Sequence, residues 1–221
     1  MIRVLLVDDQ ALVRRGFRMI LELEDDLEVC GEAADGAAAL TRAAETRPDV
    51  ILMDLRMPPG MDGIEATRRL LQTPGSTAKV LVLTTFDEDD NVYGALRHGA
   101  SGFLLKDVEP DDLTHAIRVV ARGEALLGSR ITRRLIDRHV TQTDTSRAAR
   151  IDQALSPRER EIFRMLARGS SNTEVAERLF LSPATVKTHV QRVLTKLDLR
   201  DRLQAVILAY EAGIIRPGER T

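Results

Sequence analysis

Five short apolar runs punctuate the first 123 residues: Ile2–Val7, Leu27–Cys30, Val50–Met53, Val80–Leu83 and Gly102–Leu105. Between them, Ala11–Glu22, Ala37–Glu45, Ile64–Leu71, Asn91–His98 and Asp111–Arg122 place apolar residues at helical spacing. Strands alternating with helices predict βαβ units around a parallel sheet of five strands and five helices. The strands are apolar throughout rather than alternating, which suits a sheet covered on both faces. Gly99 fits the end of the fourth helix.

The pattern weakens from residue 124 to residue 153. Ile131, Leu135 and Ile136 can form one side of a short helix, and the polar run Thr141–Ser146 reads as a flexible linker. From residue 154 onward every signal is helical. Ser156-Pro157-Arg158-Glu159 combines a capping Ser, a Pro at the first helical position and a Glu that reaches back. Gly169 ends that helix, and Ser171 with Glu174 opens a second before Val175, Ala176 and Leu179. Ser182-Pro183 opens a third, with Val186, Val190, Leu194 and Leu197 on one face. Gly213 closes a fourth. The expected organisation is therefore a domain over 1–123, a linker over 124–153 and a small all-α domain over 154–221.

Composition changes this picture only when divided along the chain. Hydrophobic residues at 43% and charged residues at 30% are ordinary for a globular protein, and the net charge is −2. Yet residues 1–123 carry 14 basic against 22 acidic side chains, residues 124–153 carry 6 against 4, and residues 154–221 carry 12 against 8. An acidic front half joined to a basic back half points to nucleic acid as a partner of the latter. Cys30 stands alone, so no intrachain disulfide forms, and it reads as a small core residue. The apolar start meets Asp8-Asp9 too early for a signal peptide or membrane span. The expectation is a cytoplasmic protein without a membrane partner.

In an open parallel sheet, ligands bind beyond the carboxyl ends of the strands. The predicted strands deliver Asp8 and Asp9, Asp54, Thr84 and Lys106 to that edge. Three converging carboxylates call for a hard divalent cation, and oxygen ligands suit Mg²⁺. A carboxylate can attack phosphorus to give an acyl phosphate, with a Lys ammonium and Mg²⁺ offsetting the charge of the transferring group. Taken singly, each residue has a plainer reading: a strand end, a helix cap, a surface lysine or, for Phe103, ordinary core. Their joint placement at the strand ends carries the argument.

Val7-Asp8-Asp9, Asp54-Leu55-Arg56-Met57-Pro58, Asp62-Gly63, Leu83-Thr84-Thr85 and Leu105-Lys106-Asp107 together resemble the receiver domain of two-component response regulators. The resemblance implies a five-stranded sheet in flavodoxin-like order and makes Asp54 the phosphoacceptor. It implies that Asp9 and Asp54 bind Mg²⁺ directly, Asp8 through water, and Arg56 through its main-chain carbonyl. Thr84 and Phe103 become a switch pair, the hydroxyl moving toward the phosphate and the ring turning inward. Two departures stand out: the segment from Asp54 to Asp62-Gly63 is one residue longer than usual, and Asp107 replaces a common proline. The first leaves the loop's shape open; the second removes any reason to expect a cis peptide there. Arg56 and Phe86, each two positions beyond a pocket residue, are expected to shield the acyl phosphate from water.

On the third helix of the last domain, Lys187, Thr188, Gln191, Arg192 and Thr195 face outward without a carboxylate among them. Such a face fits the major groove, and the preceding helix and turn at Phe180-Leu181 match a helix-turn-helix. Arg200 and Arg202 are placed to hold phosphates; His189 reads as a packing or phosphate-contacting residue. Ser156-Pro157-Arg158-Glu159-Arg160-Glu161, Ala176-Glu177-Arg178-Leu179 and Ser182–His189 resemble the LuxR-type DNA-binding domain. The whole chain is thus identified as similar to the NarL/FixJ response regulators. That resemblance gives Lys187, Thr188 and Gln191 the base-reading positions and assigns Leu203, Val206, Ile207 and Tyr210 to pairing two domains. Asp198 stands where a small residue, often Gly, is usual.

The mechanism so implied is phosphorylation of Asp54 by a sensor histidine kinase, homodimerisation, and binding to double-stranded DNA, with RNA polymerase as a further partner. The chain is read as a regulator, not an enzyme. A rival reading, a phosphatase or phosphotransferase turning over on Asp54, needs a general acid where Arg56 stands. A small-molecule sensor would need a more apolar pocket.

Overall fold

The computed structural model describes residues 1–84, 89–123 and 145–215, with the side chains of Asp89, Asp90 and Thr145 excepted. Thr85, Phe86, the short helix expected around Ile131–Ile136 and the run Thr141–Asp144 lie outside the described residues. Two compact units divide the chain, residues 1–126 and 127–221.

In the first unit the elements run β1 (Ile2–Val7), α1 (Ala11–Leu21), β2 (Leu27–Ala33), α2 (Gly36–Thr46), β3 (Val50–Asp54), α3 (Gly63–Gln72), β4 (Lys79–Thr84), α4 (Asp89–Arg97), β5 (Gly102–Leu105) and α5 (Pro110–Ala121). All five strands are parallel, in the order β2-β1-β3-β4-β5. Burial explains the uninterrupted apolar strands. Val4, Leu6, Leu52, Leu81 and Leu83 pack against Phe17 and Leu21 of α1 and Leu113, Ile117 and Val120 of α5. Leu5, Ile51, Met53 and Val82 alternate with them and are equally buried. β2 outruns its apolar stretch by three residues, because an edge strand keeps half-exposed positions that carry no apolar signal. Cys30 on this strand is half-buried rather than a core residue.

Register sets the strand ends. Val7 lies beside Met53, Asp54 beside Leu83, and Thr84 beside Leu105, so the residues that follow emerge on one edge. The longer loop after β3 closes through Pro58–Pro59, the one cis peptide among the described residues, and Gly60 at φ +126°. Asp62 then caps α3 by accepting from Glu65 N at 2.8 Å. The peptide preceding Asp107 is trans.

The second unit holds α6 (Thr145–Ala154), α7 (Pro157–Ala167), α8 (Asn172–Leu179), α9 (Pro183–Lys196) and α10 (Arg202–Glu211). Helix α6 corrects the expectation of a linker reaching residue 153. Its apolar signal is sparse, yet Ile151 is buried, and Arg147 meets Glu211 of α10 at 2.6 Å. Both expected capping boxes are present, Ser156 with Glu159 and Ser171 with Glu174. Ile162, Met165, Leu166, Val175, Ala176 and Val186 form the core joining α7, α8 and α9. On α10, Leu203, Val206, Ile207 and Tyr210 are all at most 5% exposed.

Candidate functional site: an acidic pocket and a basic helix face

Asp8, Asp54 and Thr84 are buried at the carboxyl edge of the sheet, while Asp9 is exposed. Carboxylate oxygens of Asp8, Asp9 and Asp54 all lie within 4.8 Å of one another. Lys106, just past β5, donates to Asp54 Oδ2 at 2.9 Å. Its ammonium also forms an ion pair with Asp8 Oδ2 at 2.8 Å. The main chain braces the group. Gln10 N donates to Asp8 Oδ1 at 2.9 Å, Arg56 N to Asp54 Oδ1 at 3.3 Å, and Lys106 N to the Thr84 carbonyl at 2.9 Å. Arg14 reaches the Asp8 carbonyl at 2.7 Å and ties α1 to the same edge.

Burial pushes the Asp54 carboxyl above the usual carboxylate range, and Asp8 adds to this; Lys106 offsets part of it. For Lys106, burial works to lower the ammonium, but its contacts with Asp8 and Asp54 outweigh it and the net shift is upward. Three carboxylates against one ammonium leave the pocket two negative charges in excess, and its donors are all oxygen. That fits a hard divalent cation and a phosphoryl group.

Gly63 is the residue whose role the sequence did not disclose. A Cβ there would sit 2.0 Å from the Asp54 carbonyl oxygen, while Gly63 N donates to the Leu55 carbonyl at 3.0 Å. The loop after β3 therefore returns directly onto the backbone of Asp54, and only glycine permits it. Phe103 is nearly buried beside Val82, and the Arg56 side chain is exposed.

In the second unit, Lys187, Thr188, Gln191, Arg192 and Thr195 are exposed along α9. Val186, Val193 and Leu194 are buried behind them, and Val190 and Leu197 partly so. Ser182 caps the helix by accepting from Thr185 N at 3.1 Å. Lys196 is the exception to the free basic face, because it donates to Glu159 Oε2 at 2.6 Å. Glu159 also accepts from Ser156 N at 2.8 Å, and these bonds hold its carboxyl at about 2. Arg202 donates to Asn172 at 3.2 Å, and His189 is half-buried. The turn between α8 and α9 puts Phe180 in the left-handed region at φ +53°, with its ring 96% exposed.

Residues 4–118 match the response regulator receiver domain, and residues 153–209 match bacterial regulatory proteins of the luxR family. The chain belongs to the response regulators. It is 42% identical to the transcriptional regulatory protein LiaR of Bacillus subtilis (strain 168), over 97% of this chain and 100% of that one. The uncharacterized transcriptional regulatory protein YxjL of the same strain is also 42% identical, over 97% and 98%. Among solved structures, the response regulator ChrA of a heme-sensing two-component system is 37% identical, covers 97% of this chain and 98% of its own, and gives a TM-score of 0.52. This response regulator therefore joins a receiver domain to a LuxR-type DNA-binding domain. Among the described residues, none of its helices is long and apolar enough to cross a membrane.

Proposed function

We propose that the protein is a cytoplasmic transcriptional regulator switched by phosphorylation of Asp54 from a sensor histidine kinase, and that it acts on double-stranded DNA as a homodimer. The observation that carries this reading is the buried Asp54 carboxylate held by Lys106 beside Asp8 and Asp9. An Asp54 oxygen attacks the phosphorus of a phosphohistidine; an O–P bond forms, the P–N bond breaks and the imidazole nitrogen departs. Lys106 stays bonded at the carboxylates and faces the incoming negative charge.

Asp8, Asp9 and Asp54, with the main-chain carbonyl of Arg56, are the residues that would hold Mg²⁺. The ion when bound offsets charge on the transferring phosphoryl group. Thr84 and Phe103 read the result: the hydroxyl turns toward the phosphate and the ring repacks against β4, shifting the population toward the active state. Lys187, Thr188, Gln191 and Arg192 then meet the major groove, with Arg200 and Arg202 at flanking phosphates. RNA polymerase is the downstream partner. The chain is a regulator rather than a turnover hydrolase, since an exposed Arg56 stands where a general acid is needed.

Intact mass after incubation with acetyl phosphate and Mg²⁺ tests the reading. One phosphoryl group is expected on the wild-type chain and none on Asp54→Ala. Unchanged labelling of the variant, or no labelling of either, would overturn it.

A further inference from the structure

Between α7 and α8 the second unit holds a cleft of about 550 Å³, the size of a small-molecule site. Its walls are cationic. Arg160, Arg164 and Arg168 line it from α7 and the C-cap of that helix, and Arg178 joins them from α8. Residues four apart share one face of a helix, so the row spans roughly 12 Å with a guanidinium stem about every 6 Å. Glu161 lines the same cleft, but its carboxylate already accepts from Arg158 Nη1 at 2.7 Å. Arg158 Nη2 donates to the Leu179 carbonyl at 2.8 Å, which ties the start of α7 to the end of α8 and covers the negative end of the latter.

The fold leaves much of this charge uncommitted. Arg160 Nε is buried without a hydrogen-bond partner. Arg164 meets Asp152 at 3.9 Å, with both side chains about half exposed. Arg178 is exposed and forms no ion pair among the described residues. A buried N–H left unpaired is costly, and an anion in the cleft would relieve that cost.

We propose that this cleft binds a nucleoside polyphosphate. Guanidinium groups take phosphate through paired N–H bonds, and their planes stack on aromatic rings, so one arginine row can hold both ends of such a ligand. Pro157, Met165 and Leu179 supply an apolar wall, which a base needs and a bare phosphate chain does not. Lys187, Thr188, Gln191 and Arg192 of α9 do not line the cleft, so its ligand and the DNA groove are met by different surfaces. The core between α7 and α8 also carries Val186 of α9, so occupancy stabilises the helix pair on which the basic face is built.

Equilibrium dialysis of the full chain against ATP and GTP is the test, in EDTA so that no cation draws nucleotide to the acidic pocket. Saturable binding at one site per chain is expected, with a higher melting temperature for the second unit. Arg178→Glu, at an exposed position, should weaken binding at least tenfold, and Arg160→Gln with Arg178→Gln should remove it. If the double variant fails to fold, Arg178→Glu alone decides. Tripolyphosphate should compete at least tenfold less well than the nucleotide. Absence of binding by wild type, or binding that survives Arg178→Glu, would overturn the proposal. Equal competition by tripolyphosphate would reduce the cleft to a phosphate site and remove the nucleoside. Displacement of bound nucleotide by duplex DNA would assign the arginine row to the DNA backbone, and the proposal would fall.

Discussion

The acidic pocket and the basic face of α9 are both clusters of charge, yet they are built on opposite principles. In the pocket, Asp8, Asp54 and Lys106 are withdrawn from water and bonded to one another, so no member can change without disturbing the others. On α9, Lys187, Gln191 and Arg192 stand in solvent, each on its own part of the helix surface. A buried network couples its members, whereas exposed charges act nearly independently. The comparison predicts large, shared effects in the first region and small, separable ones in the second.

The sharpest break should come from Gly63→Ala. The added methyl meets the Asp54 carbonyl at 2.0 Å, contact with backbone that no side-chain rotation relieves. The receiver is expected to lose about 3 kcal/mol, read as an earlier receiver transition in urea, and the acetyl-phosphate labelling of Asp54 should fall with it. Labelling at the wild-type rate would show that the loop can move aside without displacing Asp54.

Glu159→Gln should cost the second unit about 2 kcal/mol, because it removes the charge that Lys196 and Ser156 N bond to in a buried position. The acid response gives an independent reading. Glu159 is held at about 2 in the fold against an ordinary value of 4.5. Its stabilisation is therefore complete above pH 4.5 and disappears as pH falls toward 2, since the unfolded chain takes up the proton first. Thermal melts of wild type and Glu159→Gln should converge across that window, and a gap that stays constant would discount the ion pair.

Lys187→Ala marks the other side of the comparison. Melting of the second unit should change by less than about 0.5 kcal/mol, because the side chain is exposed. Affinity for duplex DNA should drop about tenfold if Lys187 reads a base edge. If it holds only phosphate, the salt dependence of binding should instead lose about one ion. Lys196→Ala, on the same helix, should reverse the pattern by hurting stability more than DNA binding.

What the sequence disclosed follows from the same physics. The five strand ends were legible because continuous apolar runs are the mark of a doubly covered sheet, and topology then forces Asp8, Asp54, Thr84 and Lys106 together. The capping boxes at Ser156 and Ser171 were legible because their signal is local. Helix α6 was hidden, since few of its residues are apolar and its anchor to Glu211 lies 64 residues away. The bond from Lys196 to Glu159 spans 37 residues and leaves no periodic trace. The apolar side chains of α10 were visible, but apolarity cannot say whether a side chain faces its own core or a partner.

The smallest expected effect is at the turn after α9. Asp198 occupies the left-handed region at φ +53°, and Leu199 N reaches back to the Leu194 carbonyl at 2.8 Å, the bond that closes this type of helix end. Glycine adopts that conformation without steric cost, whereas an L-residue pays about 1 kcal/mol, less for Asp than for most. Glycine also gains freedom in the unfolded chain, which cancels part of the benefit. Burial lowers the Arg200 guanidinium, and Asp201 more than Asp198 works against it, so glycine would forfeit only a minor attraction. Asp198→Gly should therefore stabilise the second unit by about 0.5 kcal/mol, a rise of a few degrees in its melting temperature. Asp198→Asn keeps the tolerance for positive φ and removes only the charge. Stabilisation by Gly with loss by Asn would separate the two contributions, and destabilisation by both would mean that attraction to Arg200, not backbone strain, governs this turn.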